Sequence, residues 1–227
     1  MWAVYKKELK SYFYSPIGYV AIGLFLFIFS TFFYLTTIQS RSIDMGGLYF
    51  NTACYGLLVI VPLITMRMFS EERKNGTEQL LLTSPKSITG IVLGKLLAAV
   101  TLIAITLVIS LMYSVILSFF QAPNITSVLV MILGFLLLAT AAISFGMFAS
   151  CITENQVISA IITMGFLLLP WFLPNINSKL RSIDLMNSYM KFPSAIISIT
   201  EITRLVTFTA MFTLLTIIIM KRRKMVK

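Results

Sequence analysis

The sequence contains no histidine, only two cysteines and few charged residues. The absence of histidine removes the commonest general base and the commonest metal ligand from consideration. The two cysteines, Cys54 and Cys151, are too few for a disulfide framework. Charged residues make up 11% of the chain, whereas ordinary globular domains carry roughly 25%. This scarcity of charge excludes an ordinary soluble globular domain.

Apolar residues dominate the chain and make up 58% of its 227 residues. One soluble core cannot bury so much apolar surface, and the chain is therefore predicted to be an integral membrane protein. The net charge of +10 does not indicate nucleic-acid binding, because the basic residues lie at the ends of apolar segments rather than in one patch. That placement fits the anionic headgroups of a lipid bilayer, and no nucleic-acid partner is expected.

Six apolar segments approach the length of about 20 residues that a bilayer core requires. We predict an all-α polytopic membrane protein that forms one domain over residues 1–227. In the third span, Lys95 lies early enough for its ammonium group to extend to the headgroups. Residues 174–203 are assigned to an outer segment with one or two short helices, the second beginning at Pro193. The predicted spans are 17–38, 48–66, 95–119, 127–149, 157–173 and 205–220.

The residues before the first span, 1–15, have the pattern of an amphipathic helix. At 100° per residue, aromatic side chains fall on one face and three lysines fall on the other. This pattern is typical of a helix that lies flat on a charged membrane surface. The basic run after the last span is predicted to anchor that span at the same surface. The predicted interface anchors are Trp2, Lys6, Lys7, Lys10, Lys221, Arg222 and Arg223.

The distribution of basic residues predicts the orientation of the spans. Six spans leave both termini on one side of the membrane. With the termini inside, the inner segments hold 13 basic residues and the outer segments hold 5. The positive-inside rule therefore places both termini in the cytoplasm of a cell-membrane protein.

One strongly polar interval, residues 69–86, separates the second and third spans. It contains Glu71, Glu72 and Glu78, which are three of the eight acidic residues, with Arg73 and Lys74 between them. A membrane-buried span could not hold that density of charge, so the interval is expected to face water.

The second half of this interval has the signals of a short helix. Asn75 can cap its start, with Glu78 three positions later in a capping-box arrangement. The leucines at 80–82 follow as an exposed ridge, and the Ser-Pro pair at 84–85 ends the helix. A capped helix with such a ridge suggests a docking element for a soluble partner. The alternative is a solvated loop between two spans.

Three smaller features have both a functional and a structural interpretation. Gly90 and Gly94 form a small-xxx-small pair that can let two helices pack closely, or they are two glycines in an ordinary membrane helix. Glu154 could contact a soluble partner, or it is a solvated acid in a turn. Glu201 and Arg204 are three positions apart on a helix and are expected to pair with each other at the outer headgroups; the alternative is that they belong to a substrate site.

The polar interval resembles the loop between the second and third spans of type-2 ABC exporter permeases. Residues 69–85, FSEERKNGTEQLLLTSP, contain that family's acidic-basic run, its Gly-Thr pair followed by Glu and leucines, and its Ser-Pro stop. Residues 90–95, GIVLGK, are similar to its entry into the third span, and residues 146–156, GMFASCITENQ, to the end of its fourth. Among such permeases the chain is most similar to the gliding-motility and nitrous-oxide-reductase-maturation transporters.

The resemblance implies a half-transporter whose cargo is hydrophobic or lipid-like and is exported. Two such subunits, copies or paralogues, would form the pathway, and separate cytoplasmic ATPase subunits would bind ATP and Mg²⁺ below them. The chain itself lacks the G-x-x-x-x-G-K-[ST] motif, is not expected to be an enzyme and would bind no cofactor. Glu154 would be a secondary ATPase contact. The implied ATPase-docking residues of the coupling helix are Glu71, Glu72, Gly76, Thr77, Glu78, Leu80 and Leu81.

Two other functions compete with the one that this resemblance implies. Glu71 and Glu72 are similar to the paired glutamates of intramembrane prenyl-protein proteases. Those enzymes also need an arginine four positions after the second glutamate and later histidines, whereas position 76 is glycine and histidine is absent. The other rival is a membrane scaffold or a channel-type subunit without ATP coupling, which would need ionisable groups facing a pore.

Overall fold

The computed structural model describes residues 1–41, 44–83, 86–119, 124–176 and 185–226, and it describes their side chains except at positions 80–82, 170–176 and 226. Every regular element in this part of the chain is a helix. The predicted all-α fold is confirmed.

The helices follow one another with short connections. Two of the membrane segments also contain a π-helical turn, at Tyr34–Gln39 and at Thr52–Gly56. The α-helices are α1 Trp2–Tyr14, α2 Pro16–Phe33, α3 Met45–Asn51, α4 Leu57–Thr65, α5 Ser70–Lys74, α6 Glu78–Thr83, α7 Ile88–Ser118, α8 Ile125–Ile152, α9 Gln156–Ile176, α10 Leu185–Tyr189 and α11 Ile199–Val226.

Five helical stretches of the described chain are long and apolar enough to cross a membrane. In α9, residues Gln156–Leu169 add a shorter apolar helix at the position of the predicted fifth span. The chain is therefore a multi-pass membrane protein, and the count of six spans stays a prediction. The five long stretches are Pro16–Gln39, Met45–Lys74, Ile88–Ser118, Ile125–Ile152 and Ile199–Met225.

The centre of the bundle is α8, which packs against α4, α7, α9 and α11. Two glycines of α8 allow this close packing. A methyl group at Gly134 would overlap the Phe192 side chain, and one at Gly146 would overlap Thr65. The core around Gly134 is aromatic, and the Phe135 ring meets the Tyr189 ring edge to face at 6.3 Å.

The amphipathic helix α1 packs along the first turns of α7. A methyl group at Gly94 would lie 3.1 Å from Val4 Cβ, and one at Gly90 would lie 3.3 Å from the Met1 nitrogen. The glycine pair at 90 and 94 therefore serves as a helix-packing surface, and its partner is α1. Val4 is the buried residue of α1, and its lysines at 6, 7 and 10 are exposed.

Three local predictions are wrong. Asn75 does not cap α6, because α6 begins at Glu78; Asn75 instead ends α5, and Gly76 follows with a left-handed φ of 71°. No helix begins at Pro193, because Ala195 has a φ of 59° that interrupts helical geometry, and α11 begins only at Ile199. Lys95 does not extend to the headgroups, because it is buried among carboxylates.

Two other predictions concern residues outside the described part of the chain. The Ser-Pro stop at 84–85 lies there, as does the part of the outer segment at 177–184. The side chains of the leucine ridge at 80–82 lie there too, although their backbone belongs to α6.

Candidate functional site at the charged loop

The charged loop, residues 69–86, contains α5, the turn at 75–77 and α6, and it is bound to the end of α8. The backbone nitrogens of Phe69 and Ser70 donate to Ser150 Oγ at 3.0 and 3.1 Å. Ser150 is fully buried, so these bonds are shielded from water. The loop thus begins at a fixed position relative to α8.

A buried lysine holds α5 against α1 and α7. Lys95 is 2% exposed, and its Nζ donates to Glu72 Oε1 at 3.0 Å, to Glu8 Oε1 at 3.1 Å and to the Met68 carbonyl at 2.7 Å. The three N–H groups of the ammonium therefore each have an acceptor, which offsets the cost of burying its charge. The Nζ also lies 5.2 Å from the centre of the Phe69 ring.

A second ion pair joins Arg67, just before the loop, to Glu71 within it. Arg67 donates from Nε to Glu71 Oε2 at 2.5 Å and from Nη2 to Glu71 Oε1 at 2.6 Å. This two-bond geometry fixes the direction of both side chains. Because both are about one-third exposed, water weakens the pair, and its main effect is on position rather than on stability.

Both helices of the loop are bound to the ends of α8 and α11. Arg223 Nη1 donates to Glu78 Oε1 at 2.9 Å, and its Nη2 donates to the Cys151 carbonyl at 2.8 Å. Arg73 Nη2 lies 2.6 Å from Glu154 Oε1, and its Nη1 donates to the Ile152 carbonyl at 3.0 Å. The two arginines also provide donors for carbonyls at the C-terminal end of α8, where carbonyl groups lack helical partners.

A cleft of about 220 Å³ lies between α1 and the charged loop. Its lining is polar and of mixed charge, and it includes Lys7, Arg67, Glu71 and Lys95. Tyr12 also lines it, and burial, with a smaller contribution from Glu8, raises the pKa of the Tyr12 hydroxyl, which therefore stays neutral at physiological pH. Within the described residues, His, Cys, Asp and Glu side chains nowhere form a group of three that could hold a metal ion.

The predicted docking residues divide into a buried set and an exposed set. Glu72 and Glu78 face inwards to Lys95 and Arg223, whereas Gly76 and Thr77 are exposed. Glu71 is partly exposed and paired with Arg67. The Leu80 and Leu81 side chains lie outside the described part of the chain.

The predicted interface anchors also divide. Trp2 is exposed, and its ring stacks on the Tyr5 ring with 5.1 Å between the two ring centres. The Lys6 Nζ lies 5.4 Å from the centre of the Trp2 ring. Lys221 and Arg222 are exposed at the end of α11. Arg223 differs, because its guanidinium is turned to Glu78 and the Cys151 carbonyl.

The sequence did not indicate that Glu8 belongs to the site, nor which carboxylates pair with Lys95 and Arg223. One signal was available, because an ionisable residue inside an apolar helix, such as Lys95, generally pairs with an opposite charge. The sequence could not identify that partner, since Glu8 lies 87 positions before Lys95.

A family model described as ABC-2 family transporter protein matches residues 2–222. The chain belongs to the ABC-2 transporter family. No curated protein matches it. Members of this family are membrane permease subunits that associate with an ABC ATPase and are not themselves catalytic. The chain is therefore a multi-pass permease subunit of an ABC transporter.

Proposed function

We propose that the charged loop at residues 69–86 is the site at which a cytoplasmic ABC ATPase docks, and that the loop transmits the ATPase movement to the spans. The observation that carries this proposal is the way the loop is held. Ion pairs tie it to α1 and α7 through Lys95, to the end of α8 through Glu154 and to α11 through Arg223. A displaced loop would pull on all of these helices together.

The docking residues have two roles in this proposal. Glu72 positions the loop by pairing with Lys95, which is buried, and Glu78 does so by pairing with Arg223, which is partly buried. Gly76 and Thr77, which are exposed, contact the ATPase together with the leucines at 80 and 81. The carboxylate of Glu154 pairs with Arg73, but the Glu154 side chain is 68% exposed. Glu154 therefore provides a secondary contact with the ATPase.

The transport cycle then uses ATP and Mg²⁺ bound on the partner ATPase. Two permease subunits, copies or paralogues, enclose the pathway, because one bundle packed as tightly as this one around α8 leaves little room for a cargo. The cargo is hydrophobic or lipid-like and is exported across the cell membrane. Both termini and the charged loop lie in the cytoplasm.

The experiment is affinity purification of the full chain in mild detergent, with mass spectrometry of the proteins that co-purify. Wild type should retain an ABC ATPase. The Leu80→Asp/Leu81→Asp variant should lose it, because unpaired carboxylates in an apolar groove cost several kcal/mol. Insertion into the membrane and the thermal unfolding midpoint should stay as in wild type.

The matched control is Phe119→Asp/Ile125→Asp, which introduces the same two charges at exposed apolar positions beside the end of α7 and the start of α8, away from the charged loop. This control should retain the ATPase. An ATPase that binds the Leu80→Asp/Leu81→Asp variant as well as wild type would refute docking at the loop.

A further inference from the structure

A second charged cluster lies at the end of α11 opposite Arg223. Glu201 is buried and accepts hydrogen bonds from Lys191 Nζ at 2.9 Å and from Arg204 Nη1 at 3.0 Å. The predicted pair of Glu201 and Arg204 is confirmed, and Lys191 joins it. The 22 residues from Glu201 to Arg223 span about 33 Å of helix, close to the roughly 30 Å thickness of a bilayer core. The cluster therefore lies at a membrane boundary.

The charges of this cluster do not cancel. One buried carboxylate faces two cations, which leaves a net charge of +1, and both cations are accessible: Lys191 is 50% exposed and Arg204 is 42% exposed. Glu201 accepts one N–H from each, whereas an ammonium has three N–H groups and a guanidinium has five. Both side chains can therefore donate to a further anionic acceptor.

An apolar ridge lies beside the cations. Ile196, Ile197 and Ile199 are all exposed, between Lys191 and the first turn of α11. The Ile196 nitrogen donates to the Lys191 carbonyl at 3.1 Å, which fixes the ridge next to the lysine. Exposed isoleucines at a membrane boundary are stabilised when acyl chains cover them. The neighbouring cations favour a ligand whose apolar part ends in an anionic group.

We propose that Lys191, Arg204 and this isoleucine ridge form a binding site for an anionic phospholipid. Its phosphate oxygens accept hydrogen bonds from Lys191 and Arg204, and its acyl chains lie along the ridge. Glu201 does not touch the lipid; it positions the two cations and reduces their combined charge. The site lies at the far end of the bundle from the charged loop and does not depend on ATPase docking.

The test is native mass spectrometry of the purified full chain with phosphatidylglycerol added in increasing amounts. Lys191→Gln and Arg204→Gln each lower the cluster charge to zero and should weaken lipid binding about fivefold, whereas Glu201→Gln raises it to +2 and should strengthen binding about fivefold. Ile196→Asn/Ile197→Asn should also weaken binding. Arg41→Gln removes an exposed cation elsewhere and should bind as wild type.

The direction of the Glu201→Gln effect separates the proposal from a purely structural role, which predicts lower stability without stronger lipid binding. Lys191→Gln and Arg204→Gln each keep one ion pair with Glu201. These two variants therefore test whether the cations bind the lipid even if Glu201→Gln does not fold. Wild-type lipid affinity in both of these variants would overturn the proposal. Complete displacement of the lipid by excess inorganic phosphate would also overturn it, because it would indicate a site for soluble anions.

Discussion

Single glycines set how closely the central helix α8 approaches its neighbours. At Gly134 the space that a side chain would need is occupied by Phe192, which is fully buried beside the lipid-site residue Lys191. At Gly165 of α9, in contrast, no described atom lies within 4 Å of the position that a methyl group would take. The same residue type is therefore required at one position and replaceable at the other.

This contrast gives a matched pair of substitutions. Gly134→Ala should lower the stability of the detergent-solubilised protein by about 1–3 kcal/mol, because the added methyl forces the packed Phe192 ring to move. Gly165→Ala should leave stability unchanged or slightly raised, because alanine favours helix. The measurement is the thermal unfolding midpoint of both variants. Equal midpoints would show that α8 and the residues around Phe192 are not packed as described.

At the scale of elements, the charged loop is held by contacts between parts of the chain that are far apart in sequence. Glu78 and Arg223 are 145 positions apart, and each would leave a poorly solvated charge without the other. Removing one partner of a buried ion pair costs more than the pair itself contributes. The end of α11 and the start of α6 should therefore behave as one unit.

A charge swap tests this unit. Glu78→Arg and Arg223→Glu should each lower stability by about 3 kcal/mol and reduce the amount of ATPase that co-purifies. The double variant Glu78→Arg/Arg223→Glu should recover most of the lost stability and most of the lost ATPase binding. Recovery should stay incomplete, because glutamate at 223 cannot donate to the Cys151 carbonyl. A double variant whose losses are simply the sum of the two single losses would show that the residues do not interact.

The elements themselves were largely predictable, whereas their contacts were not. Long apolar runs identify membrane helices because a bilayer leaves helices as the main option for a spanning chain. The cap at Asn75 failed because a local motif cannot show that Gly76 adopts a left-handed φ and ends the preceding helix. The ion pair at Glu201 was predictable from its spacing of three, but the pairs of Lys95 and Arg223 depend on tertiary packing.

For the whole molecule, the asymmetry of basic residues predicts which boundary faces the cytoplasm. Cys151 cannot report this, because its side chain is fully buried. In a Cys54→Ala background, Lys74→Cys places an exposed thiol on the charged loop, and Thr200→Cys places one beside the Glu201 cluster. In intact cells a membrane-impermeant maleimide should label Thr200→Cys alone, and in inside-out vesicles it should label Lys74→Cys alone. The reverse pattern would invert the predicted topology.

The length of α7 has a mechanical consequence. Its 31 residues contain no proline, and at about 1.5 Å per residue they form a rod of about 46 Å that is longer than the bilayer core. Lys95 joins this rod to the charged loop near one end, while α8 and α11 support it along its side. A stiff lever of that length turns a tilt of about 5° into a movement of about 4 Å at its far end. The segment from Met45 to Thr65 contains Pro62 and a π-helical turn, both of which let a helix bend. Bending of this segment would therefore absorb part of such a movement.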